Sequence, residues 1–361
     1  MNAPLTAYWR RMASGTTADT WGSLVRVFLI PLSLVYSLVQ RIRSGLYRSG
    51  IFTVRKLPCP VISIGNIAVG GTGKTPVTAH IARLLMAQGL KVAVLSRGYG
   101  GTLEGETALV SNGHEITLSA EECGDEPFLL AKSIPGLAVI IGTDRYAAGL
   151  LALKECTPDV FLLDDGFQHL RLHRDLNILL LDCSRPFGNG WTLPAGLLRE
   201  PKRAAERADL VVLTRCPEGA APTSPLPEKP FCRARHNLDD LLPLTGGEPL
   251  LFEALTDRKV VAFSGIAEPQ AFLDGLRRRG VQVVAALEFP DHVEYSDARL
   301  LEIEDMLRIS GADYAITTEK DGVKLKRLSE ASAQKTLLAR LRLGVDDPAP
   351  LTESLFNLLQ M

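Results

Sequence analysis

The sequence lacks an excess of charge of either sign, and it lacks paired cysteines. Forty lysines and arginines oppose 41 aspartates and glutamates among 361 residues, a net charge of −1 that excludes a generally basic, nucleic-acid-binding chain. No C-x-x-C pair occurs and no histidine stands at zinc-ligand spacing, so we expect neither a disulfide nor a metal staple. The six cysteines are expected to be reduced and mostly buried: Cys59, Cys123, Cys156, Cys183, Cys216 and Cys232.

An apolar run of membrane-spanning length is also missing. Val27–Val39 is shorter than the roughly 20 residues that cross a hydrocarbon core, and Pro31 interrupts it. The segment before Leu57 nevertheless carries eight basic residues against Asp19 alone, a net charge of +7. We predict that it lies on a membrane surface. A secretory signal is disfavoured because basic residues and no A-x-A-like site follow the run, and a helix packed on the protein's own core stays open.

The composition is otherwise that of a globular protein, with 46% apolar and 22% charged residues, which excludes wholesale disorder and collagen. From Pro58 onward, short apolar runs alternate with helix-length segments, as in a parallel sheet covered on both faces. This pattern predicts an α/β fold, doubly wound. The predicted strands are Val61–Ile64, Val92–Leu95, Ala138–Ile141, Val160–Leu163, Ile178–Leu181, Leu210–Leu213, Val260–Phe263, Val281–Leu287 and Tyr314–Thr317. The predicted helices are Thr78–Gln88, Arg145–Glu155, Glu268–Arg279 and Asp297–Ile309.

Proline marks the predicted division into domains. Residues 217–230 hold five prolines and are expected to form a stiff connector. We therefore predict a membrane-associated segment over 1–56, a nucleotide-binding domain over 57–216 and a smaller α/β domain over 231–361. Asn112-Gly113 within Thr107–Leu118 predicts a hairpin at the sheet's rim.

A glycine-rich turn follows the first predicted strand and opens a helix. Such a turn surrounds a phosphate with backbone N–H groups, while its lysine reaches the β and γ phosphates and its last hydroxyl reaches Mg²⁺. Ala68 stands where the strict G-x-x-x-x-G-K-[ST] spacing has glycine, but the rest of the turn keeps the pattern of a P-loop. The predicted nucleotide-binding residues are Gly70, Gly71, Thr72, Gly73, Lys74 and Thr75.

The nucleotide and its metal are predicted from the residues around this turn. Thr214-Arg215-Cys216-Pro217 and Thr318-Glu319-Lys320-Asp321 stand where a GTPase would read guanine, and neither fits, which favours ATP. Asp164-Asp165 ends a buried strand at the edge where an open parallel sheet binds ligands, and these carboxylates are placed to hold Mg²⁺. Asp125 opens another helix, where a helix N-cap and a catalytic acid are equally consistent with the sequence.

Eight motifs occur in one order along the chain: SIGNIAVGGTGKTP, SRGYGG, GDEP, DDGFQH, LPAGLLREP, FSGIAEP, FPDH and TTEKDGVK. Together they resemble the tetraacyldisaccharide 4'-kinase family, over residues from about 5 to about 325. The resemblance implies ATP and Mg²⁺, a two-lobed P-loop fold and phosphorylation of the 4'-hydroxyl of a tetraacylated disaccharide 1-phosphate in lipid A biosynthesis. It also implies an N-terminal helix seated at the cytoplasmic face of a bacterial inner membrane. No nucleic acid or protein partner is implied.

The resemblance also implies roles for individual residues. Asp125 matches the family's proposed base and His292 its partner, and Lys74 is expected to hold the triphosphate. Because His292 follows Asp125 by more than 160 positions, we expect closure of two lobes to bring them together. The candidate Mg²⁺ ligands are Thr75, Glu126, Asp164 and Asp165. The candidate acceptor-binding residues, for which a solvated surface charge or a supporting polar group is the alternative, are Asn66, Arg97, Gln168, His169, Arg171 and Arg199.

Two other function classes are open at this point. A membrane-attached NTPase switch would hydrolyse nucleotide without phosphorylating an acceptor, and Val69, where partitioning ATPases carry lysine, disfavours it. A kinase for a small soluble metabolite would have no use for the basic, apolar N-terminal segment.

Overall fold

The computed structural model describes residues 3–14, 20–216, 219 and 223–360. The chain forms two compact units, each built from separate stretches of sequence. Unit 1 comprises 1–96, 144–235 and 345–361, and unit 2 comprises 97–143 and 236–344. The predicted connector 217–230 lies partly outside the described residues, and its described part contains no helix or strand.

Twelve strands lie in the described part of the chain. They are β1 Val61–Asn66, β2 Val92–Ser96, β3 Ala108–Asn112, β4 Ala138–Ile141, β5 Val160–Asp164, β6 Leu176–Asp182, β7 Leu210–Thr214, β8 Phe231–Pro243, β9 Lys259–Ser264, β10 Gln282–Glu288, β11 Tyr314–Thr318 and β12 Thr336–Val345. Every predicted strand is present within one or two residues, whereas β8 and β12 were not predicted.

Helices follow most of these strands. They are α1 Ala3–Ser14, α2 Thr20–Arg48, α3 Lys74–Ala87, α4 Ala120–Cys123, α5 Asp125–Ser133, α6 Arg145–Glu155, α7 Pro269–Arg278, α8 Asp297–Ile309, α9 Glu319–Gly322, α10 Glu330–Gln334 and α11 Ala349–Leu359. Two short 3₁₀ helices span Lys202–Arg207 and Phe252–Leu255. The predicted α/β fold is confirmed.

The sheet of unit 1 is parallel, in the order β7-β6-β1-β5-β2. Its strands are buried along nearly their whole length, which explains why they appear in the sequence as unbroken apolar runs. Strand β1 lies between β5 and β6, so the loops after β1 and β5 leave the same edge side by side. Both candidate nucleotide-site motifs lie in these two loops.

Unit 2 contains the parallel strands β9, β10, β11 and β12 and the antiparallel pair β3 and β4. The predicted hairpin turn forms directly after β3. There the Asn112 N–H donates to the Glu115 carbonyl, and Ser111 pairs with Ile116 in an antiparallel β-bridge. Helix α5 packs against α9 in this unit. The compact units thus differ from the predicted domains, because 97–143 is grouped with 236–344 and not with the rest of 57–216.

Helix α2 departs from the prediction for the N-terminal segment. Pro31 lies inside a continuous helix of 29 residues and does not interrupt it. Residues Trp21–Arg48 are long and apolar enough to cross a membrane by length and composition, a test that core helices and signal sequences also pass. Most large apolar side chains of α2 are exposed, among them Phe28 at 78% and Val35 at 61%. The helix is therefore not a buried core helix of unit 1.

Candidate functional site

The P-loop in unit 1 has the backbone that phosphate binding requires. Gly70 and Gly73 adopt φ values of 126° and 76°, a region that glycine reaches without steric cost. Helix α3 begins at Lys74 with no side-chain cap, so its first N–H groups stay available to a ligand. The buried Asn66 donates from Nδ2 to Thr72 Oγ1 at 2.7 Å, which ties the end of β1 to the loop.

Directly after β5, the Asp165 carboxylate lies between the basic side chains of Lys74 and Arg199. It lies 3.6 Å from Lys74 Nζ and accepts from Arg199 Nη1 at 2.9 and 3.1 Å. Burial alone would raise the pKa of the Asp165 carboxyl, but the charges of Lys74 and Arg199 outweigh it and leave the pKa below its usual value. The residue has φ 52°, a left-handed conformation uncommon outside glycine, asparagine and aspartate. The structure thus brings three predicted site residues together.

Asp164 is the neighbouring candidate metal ligand. It is 2% exposed, and its Oδ1 accepts from the Thr78 hydroxyl at 3.0 Å. With the half-buried Thr75 it supplies the hard oxygen donors that Mg²⁺ prefers. Among the described residues, no group of three His, Cys, Asp or Glu side chains could hold a metal by itself.

The segment 191–199 runs beside the P-loop. Ile67 and Val69 pair with it through two backbone hydrogen bonds, from Arg199 N at 2.7 Å and to the Leu197 carbonyl at 2.8 Å. On its other side it meets helix α2, where Tyr36 donates to the Arg199 carbonyl at 3.0 Å. The segment therefore connects the N-terminal helix to the phosphate loop and to the arginine that holds Asp165.

The remaining predicted residues of unit 1 differ in their surroundings. Gln168 donates to the Asn66 carbonyl at 2.8 Å, and Arg171 contacts the Tyr47 hydroxyl at 3.3 Å. His169 Nε2 is buried without a hydrogen-bond partner, and burial, with Arg145 nearby, lowers the pKa of this histidine to about 4. Asn66 and Gln168 thus support the loop, whereas the ring nitrogen Nε2 of His169 has no partner among the described residues.

Sequence reasoning did not single out Arg215. Its guanidinium donates to the Gly71 carbonyl and lies 3.4 Å from Asp182 Oδ2. It directly follows β7, so the same sheet edge delivers it to the P-loop. In the sequence, Arg215 was noted only as part of Thr214-Arg215-Cys216-Pro217, which does not match the motif by which GTPases recognise guanine.

Asp125 is the first residue of helix α5 in unit 2. Gly124, with φ 89°, is the N-cap, and no side chain caps the helix, so the interpretation of Asp125 as an N-cap is wrong. Its Oδ2 lies 3.1 Å from Lys324 Nζ and 3.4 Å from His292 Nδ1. Burial would raise the pKa of the Asp125 carboxyl, but His292 and Lys324 outweigh it and hold the pKa below its usual value. Its Oδ1 accepts from no described residue.

His292 is held from several directions. It has φ 58°, its Nε2 lies 3.2 Å from Lys320 Nζ, and its ring meets Tyr99 edge-on with centroids 5.7 Å apart. Asp125 and His292 are in contact within one compact unit, which contains both 97–143 and 236–344. That closure of two lobes brings them together stays a prediction.

Lys324 links three parts of unit 2, and sequence reasoning missed it. Its Nζ donates to the Val293 carbonyl at 3.0 Å and lies 3.9 Å from the fully buried Asp321. Lys320 and Lys324 both stand in the motif TTEKDGVK, and this motif is the sequence signal that could have pointed to them.

The other two predicted residues of unit 2 are less constrained. Arg97 forms an ion pair with Glu104 at 3.3 Å, and Glu126 is half-buried. Acceptor binding by Arg97 and metal binding by Glu126 stay predictions.

Comparisons with known proteins agree on one family. The family model described as Tetraacyldisaccharide-1-P 4'-kinase matches residues 25–360. A Tetraacyldisaccharide 4'-kinase of Pelobacter propionicus is 59% identical over the full length of both chains, and one of Geobacter sulfurreducens is 53% identical over 98% of this chain and 99% of that one. The solved structure of LpxK from Aquifex aeolicus in complex with ATP is 36% identical, with a TM-score of 0.79, and covers 93% of this chain and 99% of that one. By sequence and by fold, this chain belongs to the tetraacyldisaccharide-1-P 4'-kinase family.

Proposed function

We propose that this member of the family uses Asp125 as the base in an ATP-dependent phosphorylation of the 4'-hydroxyl of a tetraacylated disaccharide 1-phosphate. The hydroxyl oxygen forms a bond to the γ phosphorus while the bond from that phosphorus to the β–γ bridging oxygen breaks. The hydroxyl proton goes to Asp125, and ADP leaves. The observation that carries the proposal is the state of the Asp125 carboxylate, whose Oδ2 is held by two donors while Oδ1 stays open.

A base with a lowered pKa suits this reaction. Phosphoryl transfer passes through a loose transition state in which positioning and charge neutralisation matter more than strong proton abstraction. His292 and Lys324 keep the carboxylate ionised and fix its direction. Asp125 is therefore available as an acceptor at neutral pH without a strong driving force for the proton.

The triphosphate belongs to unit 1. The amides of Gly70–Thr75 and the ammonium of Lys74 would surround its β and γ phosphates. Thr75, Asp164 and Asp165 are the residues that would hold Mg²⁺, which supplies neutralisation of charge on the phosphate oxygens when bound. The buried Asn66 Oδ1, which accepts no hydrogen bond, and the oxygen-rich donor set support a cation at this edge. Glu126 stays a predicted ligand.

The acceptor is a lipid, and its site is expected near helix α2. Exposed apolar side chains on this helix would enter the cytoplasmic face of a bacterial inner membrane while its arginines meet anionic headgroups. Arg97 and Arg171 stay candidates for the acceptor's phosphate. Arg199 already binds Asp165 through its guanidinium, which favours a positioning role for it.

The proposal is tested with the isosteric change Asp125→Asn. We expect turnover of lipid disaccharide 1-phosphate to fall by about 10² or more, because the amide cannot accept the proton, with ATP affinity unchanged. Glu121→Gln makes the same charge change at an exposed site in unit 2 and is the matched control. Near-normal turnover of Asp125→Asn would remove the base assignment. If the wild-type protein consumes ATP without forming any phosphorylated lipid, that result would favour the alternative function, a membrane-attached NTPase switch.

A further inference from the structure

Both ring nitrogens of His292 have a polar partner in unit 2. Nδ1 lies 3.4 Å from Asp125 Oδ2, and Nε2 lies 3.2 Å from Lys320 Nζ. The edge-on contact with Tyr99 restricts rotation of the same ring. The protonation pattern of His292 is therefore set by what these two partners can accept or donate.

The two partners have opposite chemistry. A lysine ammonium has three donors and no lone pair, so the Lys320 contact requires an acceptor lone pair on Nε2. An ionised carboxylate only accepts, so the Asp125 contact requires a proton on Nδ1. One neutral tautomer, with its proton on Nδ1, satisfies both contacts. In the other tautomer, the N–H at Nε2 would face the Lys320 ammonium, which is also a donor. The lone pair at Nδ1 would face the Asp125 carboxylate, which is also an acceptor.

Asp291 is the group that could favour the other tautomer. Its Oδ1 lies 3.9 Å from His292 Nε2, beyond hydrogen-bond distance. The same oxygen accepts from Lys320 Nζ at 3.2 Å and from the His292 backbone N–H at 3.1 Å. Lys320 thus occupies the carboxylate that would otherwise accept a proton from Nε2.

We infer that Lys320 is a positioning residue that fixes His292 in the Nδ1–H tautomer. This inference rests on the proposed role of Asp125 and extends it. With the proton on Nδ1, His292 donates to Asp125 Oδ2, and Lys324 donates to the same oxygen. Oδ1 is left as the oxygen that receives the substrate's proton. Without Lys320, the ring is free to turn a lone pair toward the carboxylate and release it.

The tautomer can be observed directly in the full chain. Nitrogen-15 NMR of the histidine-labelled protein in detergent micelles distinguishes a protonated ring nitrogen from one with a lone pair, and His292→Gln identifies the signals among six histidines. We expect Nδ1–H in the wild type, a shift toward Nε2–H in Lys320→Met, and retention of Nδ1–H in Lys320→Arg, which still donates. Nε2–H as the main wild-type tautomer would overturn the inference, whatever the variants do.

Kinetics separate positioning from general stability. Lys320→Met is expected to lower kcat by about 10-fold to 100-fold with the KM for ATP unchanged, and Lys320→Arg to recover most of the loss. Lys326→Met, at a lysine that pairs with the exposed Glu121 in the same unit, should change neither kcat nor the spectrum.

Wild-type kcat in Lys320→Met, or no recovery in Lys320→Arg, would contradict the positioning role. If the wild type bears the Nδ1–H tautomer but phosphorylates no lipid, the proposed function fails and the assignment of the tautomer stands.

Discussion

Asp125 in unit 2 and Asp165 in unit 1 are each held between two positively charged or hydrogen-bond-donating groups. In both, burial opposes ionisation and the neighbouring groups outweigh it, so each pKa lies below its usual value. A carboxyl with a lowered pKa contributes stability above its unfolded pKa, and this contribution is lost as pH falls through the lowered folded value. Both residues therefore stabilise their units at neutral pH as ionised groups.

His169 has the same sign of pH linkage for a different reason, because burial favours its neutral form. Burial lowers its pKa from 6.5 to about 4, so the native chain keeps it neutral where the unfolded chain takes up a proton. Stability should fall as pH drops from about 6.5 to 4, by about 1–3 kcal/mol from this residue. We expect His169→Leu to reduce that fall, measured as the difference in thermal unfolding midpoint between pH 7.5 and pH 5.

A second histidine variant provides the reference for this comparison. His114 lies exposed in the turn after β3, and His114→Gln should leave the pH dependence of unfolding as in the wild type. Equal pH dependence in His169→Leu and the wild type would show that the buried imidazole is not the group responsible.

At the scale of elements, the sequence predicted what depends on local pattern. Unbroken apolar runs marked the strands of the P-loop sheet because both of their faces are buried. Strand β8, with the sequence FCRARHNLDDLLP, has no such run, and its alternation of buried and partly exposed residues follows from tertiary packing. Pro31 suggested an interruption, but α2 continues through it, so the one hydrogen bond that proline cannot donate does not end the helix.

The contact between α2 and the segment 191–199 depends on a buried polar cluster. Ser33 donates to the Thr192 carbonyl at 2.8 Å, and the Thr192 hydroxyl donates to the Ser33 carbonyl at 2.9 Å and contacts Ser37 at 2.8 Å. Thr192→Val keeps the volume but removes the hydroxyl that donates to the Ser33 carbonyl and contacts Ser37. We expect a loss of about 1–3 kcal/mol, measured as a lower unfolding midpoint.

A threonine with an exposed hydrogen bond provides the control for this prediction. Thr256 donates to the Glu253 carbonyl at the protein surface, where water can replace the bond, and Thr256→Val should change the midpoint little. Equal midpoints for the two variants would mean that the buried cluster does not fasten α2 to unit 1.

At the scale of the whole molecule, the division into units could not be predicted from chain order. The P-loop and DDGFQH motifs were predicted at one sheet edge, and β1 and β5 are adjacent strands whose following loops carry them. Asp125 was assigned to the same domain as Lys74, but residues 97–143 belong to the compact unit that contains His292. Lys320 and Lys324 could not be identified as site residues from the sequence alone, because it is the fold of unit 2 that packs α9 against α5.

We expect the exposed apolar face of α2 to determine how the whole molecule partitions between water and lipid. Phe28 and Val35 stand seven residues apart on one face of the helix and contact little of the protein. The double change Phe28→Lys and Val35→Lys should release most of the protein from vesicles in a sedimentation assay, because two charges would have to enter the apolar boundary. Ile309→Lys, at a 75% exposed apolar residue in unit 2, should leave binding unchanged. Full retention of the double variant on vesicles would show that α2 is not the membrane contact.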